Sequence, residues 1–382
     1  MGSFQGEPLS GERFGVTYRI TARAEDIHRI ATNLCFEETV EFPADLLPET
    51  VDEGIVGRIE SMRALDDHQW DVAVSYANEV TGFELPQMLN VMFGNVSLWP
   101  GVRVERLSLS KSMAYAFGGP RFGSPGIRQR LGVWNRALLA TAIKPMGRHS
   151  VELADIAGQC ARGGIDVIKD DHGLANQPFA PWRERMTRCA EAVAEANAQT
   201  GRQSLYLPNI TAPWGDIGER AHAAKAAGAG GLLISPGLVG FDVMRHLAKD
   251  AEIDLPIMAH PTFLGSHLMN PSHGLSHYAL LGQLMRLAGA DAVIYPNYGG
   301  RFSFTKDQCH EVVAGLTAPL QGFPASLPAP GGGMSVARVP EMLETYGDEM
   351  ILLIGGDLFR GDGSLESTSQ RFRELVEGTS SH

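Results

Sequence analysis

A lysine, two aspartates and a histidine stand in a row at residues 169–172, inside the stretch GGIDVIKDDHGLANQPF (residues 163–179), and they close an apolar run that reads as a buried strand. Successive side chains of a strand face opposite ways. Lys169 and Asp171 therefore share one face, Asp170 takes the other, and His172 sits at the turn into the loop. Aspartate suits hard cations such as Mg2+, and histidine adds a borderline nitrogen ligand, so the group reads as a cation site. The competing reading is a lysine–aspartate pair that satisfies itself inside a core. An ammonium repels a metal, so Lys169 belongs in a ligand set only if its amine is neutral or modified. Lys144, in AIKPMG, ends the preceding apolar run and is a candidate acid or base. Two glycine clusters, PAPGGGM and LLIGGD, close the last two apolar runs. Gly331, Gly332, Gly333, Gly355 and Gly356 would let backbone N–H groups come close to a phosphate.

These residues need elements to hold them. From about residue 139 onward, eight short apolar runs alternate with helical patterns: LLATAIKP, IDVIKDD, SLYLPNIT, GLLISP, LPIMAH, AVIYPN, SLPAPGGG and ILLIGGD. Stretches such as VELADIAGQCARGG and YALLGQLMRLAGAD place apolar residues three or four apart, as a helix with one buried face does. Three of the helices end alike, in ARGGIDVI, AAGAGGLLI and LAGADAVI, with a glycine past the helix and a strand at once after it. Runs that are apolar throughout read as parallel strands covered on both faces. Eight such units over roughly 240 residues match a (β/α)8 barrel of about 250 residues, whose chemistry sits at the carboxyl ends of the strands and whose phosphate site follows strands seven and eight. The polar residues at those ends are Lys144, Lys169, Asp171, His172, Asn209, His260, Asn297 and Asp357.

The stretch before the barrel is different. RFGVTYRITA, DVAVSYANE and RVERLSLSKSM alternate in the two-residue manner of half-exposed antiparallel strands, with helical patterns near residues 24–34 and 85–94. The expected organisation is an N-terminal α+β domain of ferredoxin-like kind over residues 1–135, followed by a catalytic TIM barrel over residues 136–382.

A formal charge of −12 leaves no basic stripe for nucleic acid, and no apolar stretch reaches the roughly 18 residues of a membrane span. The opening MGSFQGEPLSGERFG lacks the layout of a signal peptide, so a cytoplasmic protein with no membrane partner is expected. Cys35, Cys160, Cys189 and Cys309 have no paired spacing and read as reduced, mostly buried thiols.

The motifs IKP, GGIDVIKDDHGLANQPFAPWRERMTRCAEAVAEANAQTG, IMAHP, GGG and IGGD, in this order, resemble the large subunit of ribulose-bisphosphate carboxylase/oxygenase (RuBisCO), and their departures resemble its non-carboxylating branch, the RuBisCO-like proteins. The resemblance implies a carbamate, formed with CO2, on Lys169, which with Asp171 and a third ligand holds one Mg2+. The third position is His172, where the carboxylase has glutamate. It implies that Lys144 handles protons at an enediolate and that His260 lies beside the substrate. It puts Arg301 where the mobile-loop lysine stands, and Glu37 and Gln87 where a partner subunit's N-terminal domain supplies a glutamate and an asparagine, so that a homodimer or larger assembly shares its sites. The family's second lysine is Met146; an arginine and two histidines have become Pro261, Leu264 and Ile294; and a serine has become Gly331. These changes remove one of two phosphate sites and argue against carboxylation. The implied substrate is a sugar or sugar-acid monophosphate that passes through a metal-bound enediolate. The first expectation is a decarboxylase or transcarboxylase/hydrolase of the 3-oxo-isoapionate 4-phosphate type, with Arg301 binding the carboxylate. The alternatives are a methionine-salvage enolase or isomerase acting on a methylthio-ketose phosphate, with Pro261, Leu264 and Ile294 lining an apolar pocket, and a non-catalytic dimer with a regulatory role.

Overall fold

Every second residue of Arg13–Thr21 is buried, with Phe14, Val16, Tyr18 and Ile20 on the inner face, the mark of a strand with one side on a core. In the computed structural model, which describes residues 9–49, 51, 53–361 and 363–378, this strand (β1) begins an alternation of strands and helices. Helix α1 (Ile27–Glu37) follows, then β2 (Arg58–Ala64), β3 (Gln69–Ala77), α2 (Leu85–Phe93) and β4 (Val102–Ser108). The strands lie side by side as β4-β1-β3-β2, antiparallel throughout, and a two-residue strand β10 (Gly274–Leu275) adds in parallel to β4. This βαββαβ arrangement is the expected ferredoxin-like one. Strand β2, RIESMRA, is exposed along nearly its whole length. It is an edge strand held by its ladder to β3, so it carries no apolar alternation to read. The unit comprises the chain to Gly118 together with Leu264–Leu284 and Pro319–Phe323.

The second unit comprises Gly119–Phe263, Met285–Ala318 and the chain from Pro324. Each of the eight apolar runs contributes a strand: β5 (Leu138–Ile143), β6 (Val167–Asp170), β7 (Leu205–Leu207), β8 (Leu232–Ile234), β9 (Ile257–Ala259), β11 (Ala292–Pro296), β12 (Leu327–Gly331) and β13 (Ile351–Ile354). They pair in parallel in the order β7-β6-β5-β13-β12-β11-β9-β8, and a parallel bridge between Asn209 and Leu233 closes β7 onto β8. Leu138, Ala140, Val167, Leu207, Leu233, Met258, Ala292, Ile294, Leu327, Ala329 and Ile351 fill the interior as one apolar cluster. Glycine takes the left-handed conformation at all three repeated helix ends, with φ of +91° at Gly164, +81° at Gly228 and +93° at Gly289.

Two features differ from the expected organisation. Helix α3 (Lys111–Phe117) falls in the first unit, but α4 (Gly123–Leu131) puts Ile127 and Leu131 into the barrel's apolar cluster, so the second unit begins at Gly119. The YALLGQL stretch is a π-helix over Tyr278–Leu284, continued as α-helix by Met285–Leu287; Ala279–Leu284 are all buried, which overrides the one-sided helical pattern. All four cysteines are free and buried.

Asp291, just before β11, ties the barrel together. Its carboxylate accepts backbone N–H bonds from Phe122 (2.8 Å), Gly123 (2.7 Å) and Ile257 (2.8 Å). Burial pushes this carboxyl up to about 6 even against those donors. Asp291→Ala strands three buried N–H groups and is expected to lower the unfolding free energy by about 3 kcal/mol or more, measured by denaturant titration. The folded chain holds this proton more tightly than the unfolded chain does. Its contribution is therefore full below the ordinary value of 3.8 and is lost as pH rises through about 6. The stability difference between wild type and Asp291→Asn should shrink across that window and be flat above it.

Candidate active site

Strand β6 ends in the KDD motif, and its period-two alternation is enforced from outside by Asp170. This carboxylate is fully buried. It accepts from Arg185 Nε (3.3 Å) and Nη2 (3.2 Å), from Tyr206 Oη (2.7 Å) and from the Asn209 backbone N–H (3.0 Å). Arg185 is equally buried, on the helix Trp182–Thr200, and also donates to the Ala180 and Ala175 carbonyls. With Asp170 held outward, Lys169 and Asp171 turn to the inner face.

There the charged groups converge. Lys144 Nζ lies 3.4 Å from Asp171 Oδ1, and His172 Nδ1 lies 3.7 Å from the same oxygen. The His172 and His260 rings stack at 4.2 Å with an angle of 12°. Lys169 is buried, and Nζ donates to the Asp170 carbonyl at 3.1 Å. Burial brings its ammonium down to about 8; Asp171 opposes that shift and Lys144 adds to it. The neutral amine, the form that reacts with CO2, is thus within reach near neutral pH. Burial lowers the His172 value, opposed by Asp171 and reinforced by Lys169, Lys144 and Arg301. His260 falls to about 2, through burial first and then Lys169, His172 and Lys144. Its Nδ1 accepts the Thr262 backbone N–H (3.2 Å) and lies 2.6 Å from Thr262 Oγ1. A backbone N–H can only donate, so Nδ1 carries the lone pair and Nε2 carries the proton. His260 is a neutral hydrogen-bond donor.

Arg301 is exposed on the loop after β11, its guanidinium 4.9 Å from the centre of the Phe302 ring. This loop packs backbone to backbone on the first glycine cluster: a Cβ on Gly300 would come within 2.9 Å of the Gly332 carbonyl oxygen. Gly332 and Gly333 have φ of +90° and +69°. A Cβ on Gly355 or Gly356 would meet nothing within 4 Å, so no neighbouring protein atom demands glycine there. Open space beside bare backbone is what an incoming anion needs.

Two of the polar strand ends named from sequence are structural. Asn297 is buried: its Oδ1 accepts from Tyr346 Oη (2.8 Å) and its Nδ2 contacts Met342 Sδ. Asn209 Nδ2 donates to the His172 and Leu174 carbonyls and so shapes the loop after β6. Ile294 is packed in the barrel's apolar interior. Apolar side chains that do stand open after strands β5, β9 and β11 are Met146, Phe263 and Phe302, at 51%, 72% and 48% exposure. In the first unit, Glu37 Oε1 accepts from Asn95 Nδ2 at 2.9 Å. Gln87, expected to accompany Glu37, is exposed and reaches the Val80 carbonyl at 3.4 Å. Asn95 is thus the amide that accompanies Glu37, and its signal in the sequence is the GNV that follows α2.

An eight-stranded barrel with lysines, an aspartate and two histidines at its mouth, and glycine clusters after its last two strands, defines a class of barrel enzyme. Residues 124–362 match the model for the ribulose bisphosphate carboxylase large chain, catalytic domain. A 5-methylthioribulose-1-phosphate isomerase from Rhodospirillum rubrum is 37% identical over 97% of this chain and 98% of its own. A 2,3-diketo-5-methylthiopentyl-1-phosphate enolase from Geobacillus thermodenitrificans is 33% identical over 80% of this chain and 74% of its own. The crystal structure of a RuBisCO-like protein from Rhodopseudomonas palustris superposes with a TM-score of 0.86 at 36% identity, covering 97% of this chain and 99% of that one. The chain belongs to the RuBisCO large-chain family, within its non-carboxylating RuBisCO-like branch.

Asp170→Ala leaves the Arg185 guanidinium buried without a counter-charge and is expected to cost about 3–5 kcal/mol; a double-mutant cycle with Arg185→Met should recover part of that loss. For His260, long-range proton–nitrogen NMR should report Nδ1 as unprotonated and Nε2 as protonated. The opposite assignment would reverse the role given to Thr262.

Proposed function

We propose that this chain enolises a phosphorylated ketose bearing an apolar tail of the methylthio kind, taking a proton from a hydroxyl-bearing carbon beside the carbonyl and, through the enediol, returning one to the former carbonyl carbon. The observation that carries the reading is the apolar character of the loops after β5, β9 and β11, where Met146, Phe263 and Phe302 stand exposed. Apolar side chains left in water at a barrel mouth suit a thioether tail and offer nothing to a carboxylate. The isomerase and enolase relatives support the same substrate class. The decarboxylase reading rested on Arg301 as carboxylate partner, and it has a single exposed guanidinium behind it.

The donor set fits a divalent cation on one condition. Among the described residues no group of three His, Cys, Asp and Glu side chains could hold a metal ion. Asp171 and His172 become a three-ligand set when Lys169 is carbamylated, which its depressed value and burial favour. Mg2+ held there would polarise the ketone oxygen. Lys144 Nζ takes the proton from the adjacent carbon and returns it to the neighbouring one. His260 Nε2–H donates to the oxygen that gains negative charge. Gly331, Gly332, Gly333, Gly355 and Gly356 hold the single phosphate through backbone N–H groups, and Arg301 covers it. Glu37 of the partner subunit, with its attendant amide, completes the site in a homodimer.

The test is proton exchange. Wild-type protein with Mg2+ and bicarbonate in D2O is expected to incorporate deuterium into 5-methylthioribulose 1-phosphate without releasing CO2. Lys144→Ala should slow that exchange at least about 100-fold. Release of CO2 from 3-oxo-isoapionate 4-phosphate, with no exchange on the methylthio sugar, would return the assignment to decarboxylation.

A further inference from the structure

Beside Glu37 stands a second acid that the proposed chemistry leaves unused. Glu38 follows the last residue of α1 and is buried, at 7% exposure. Its Oε2 accepts the Gly94 N–H at 2.9 Å and its Oε1 accepts the Val96 N–H at 2.6 Å. These are the residues on either side of Asn95, whose Nδ2 donates to Glu37 Oε1. The turn between them is tight: Gly94 has φ −79° and ψ −100°, and a Cβ there would fall 2.4 Å from the Asn90 carbonyl oxygen. No other residue fits without moving α2.

We propose that Glu38 is a positioning residue whose carboxylate grips the backbone on both sides of Asn95 and so holds the Asn95 amide against Glu37. This rests on the reading of Glu37 as part of the active site. Adjacent residues at the end of α1 would then divide one task. Glu37, partly exposed, faces the substrate through a hydrogen-bonded amide, and Glu38, buried, fixes where that amide stands. The sequence neighbours are joined to Asn95 across more than fifty residues of chain, so the end of α1 and the start of the 3-10 turn Asn95–Leu98 move as one piece. Burial pushes the Glu38 carboxyl up to about 7, with the two N–H donors opposing and Glu37 and Glu41 adding to the rise. The Tyr18 and Tyr76 hydroxyls also feel its charge. An acid kept under such desolvation is worth keeping for what it holds.

The experiment uses the full chain and the variants Glu38→Gln, Asn95→Ala and their double mutant. Glu38→Gln can accept with only one of its terminal atoms. Hydrogen–deuterium exchange should show the Gly94 and Val96 amides losing at least about tenfold of their protection, with the sheet amides of β1 and β3 unchanged. With 5-methylthioribulose 1-phosphate, kcat should fall about tenfold at Glu38→Gln and KM less than twofold. In the Asn95→Ala background the same substitution should cost nothing further, because the effect travels through that side chain. Undiminished protection in Glu38→Gln overturns the proposal, as do losses in kcat that add independently of Asn95. If wild type does not turn over the sugar, the functional reading fails while the exchange arm still decides the grip. Should Glu38→Gln not fold, Glu38→Asp, whose shorter carboxylate cannot span both N–H groups, replaces it.

Discussion

A carboxylate buried on the outer side of a barrel strand is the constraint on which the mouth of this protein depends. Asp170 is removed from water and so must be satisfied where it stands; Arg185, Tyr206 and the Asn209 N–H do so with four hydrogen bonds. Such a pair is stable only because its geometry offsets the desolvation of both ions. Its consequence is directional. A strand whose middle residue is locked outward must send the residues before and after it inward, and those are Lys169 and Asp171.

The inward face then sets its own electrostatics. Lys144 and Lys169 act on both His172 and His260, while Arg301 and the Asp171 carboxylate act on His172, and a mouth with more cations than anions draws anions. Crowding by positive charge and loss of water both disfavour further protonation, so His172 and His260 stack as neutral rings. A neutral histidine in place of a glutamate is compatible with that surplus, and it leaves Asp171, with a carbamate if one forms, as the source of negative charge. Thr262 completes the arrangement by occupying the one nitrogen of His260 that could have accepted a proton.

Much of this was readable in advance. All eight barrel strands are apolar because both faces are covered, and the three helix-ending glycines adopt the left-handed conformation that their spacing implied. Strand β2 was not readable, because an edge strand needs only its ladder and leaves no buried face to pattern. The segment 119–135 carried no mark of its allegiance; what joins it to the barrel unit is the burial of Ile127 and Leu131 among residues far along the chain. Gln87 lost its place to Asn95 for a similar reason. Both are amides near one helix, and only the turn at Gly94 decides which one reaches Glu37.

The sequence by itself determined the barrel, the outward and inward sides of the KDD motif, the glycine clusters and the family, because these rest on periodicity, on backbone conformation and on a motif read within one segment. The tertiary structure decided which polar groups are free to act. Asn209 and Asn297 stand at strand ends as the site residues do, but each is consumed by neighbours from other segments. Ile294 proved to fill the interior, while Met146, Phe263 and Phe302 were left open. Availability depends on what else arrives at the same point in space, and that information is distributed over the whole chain.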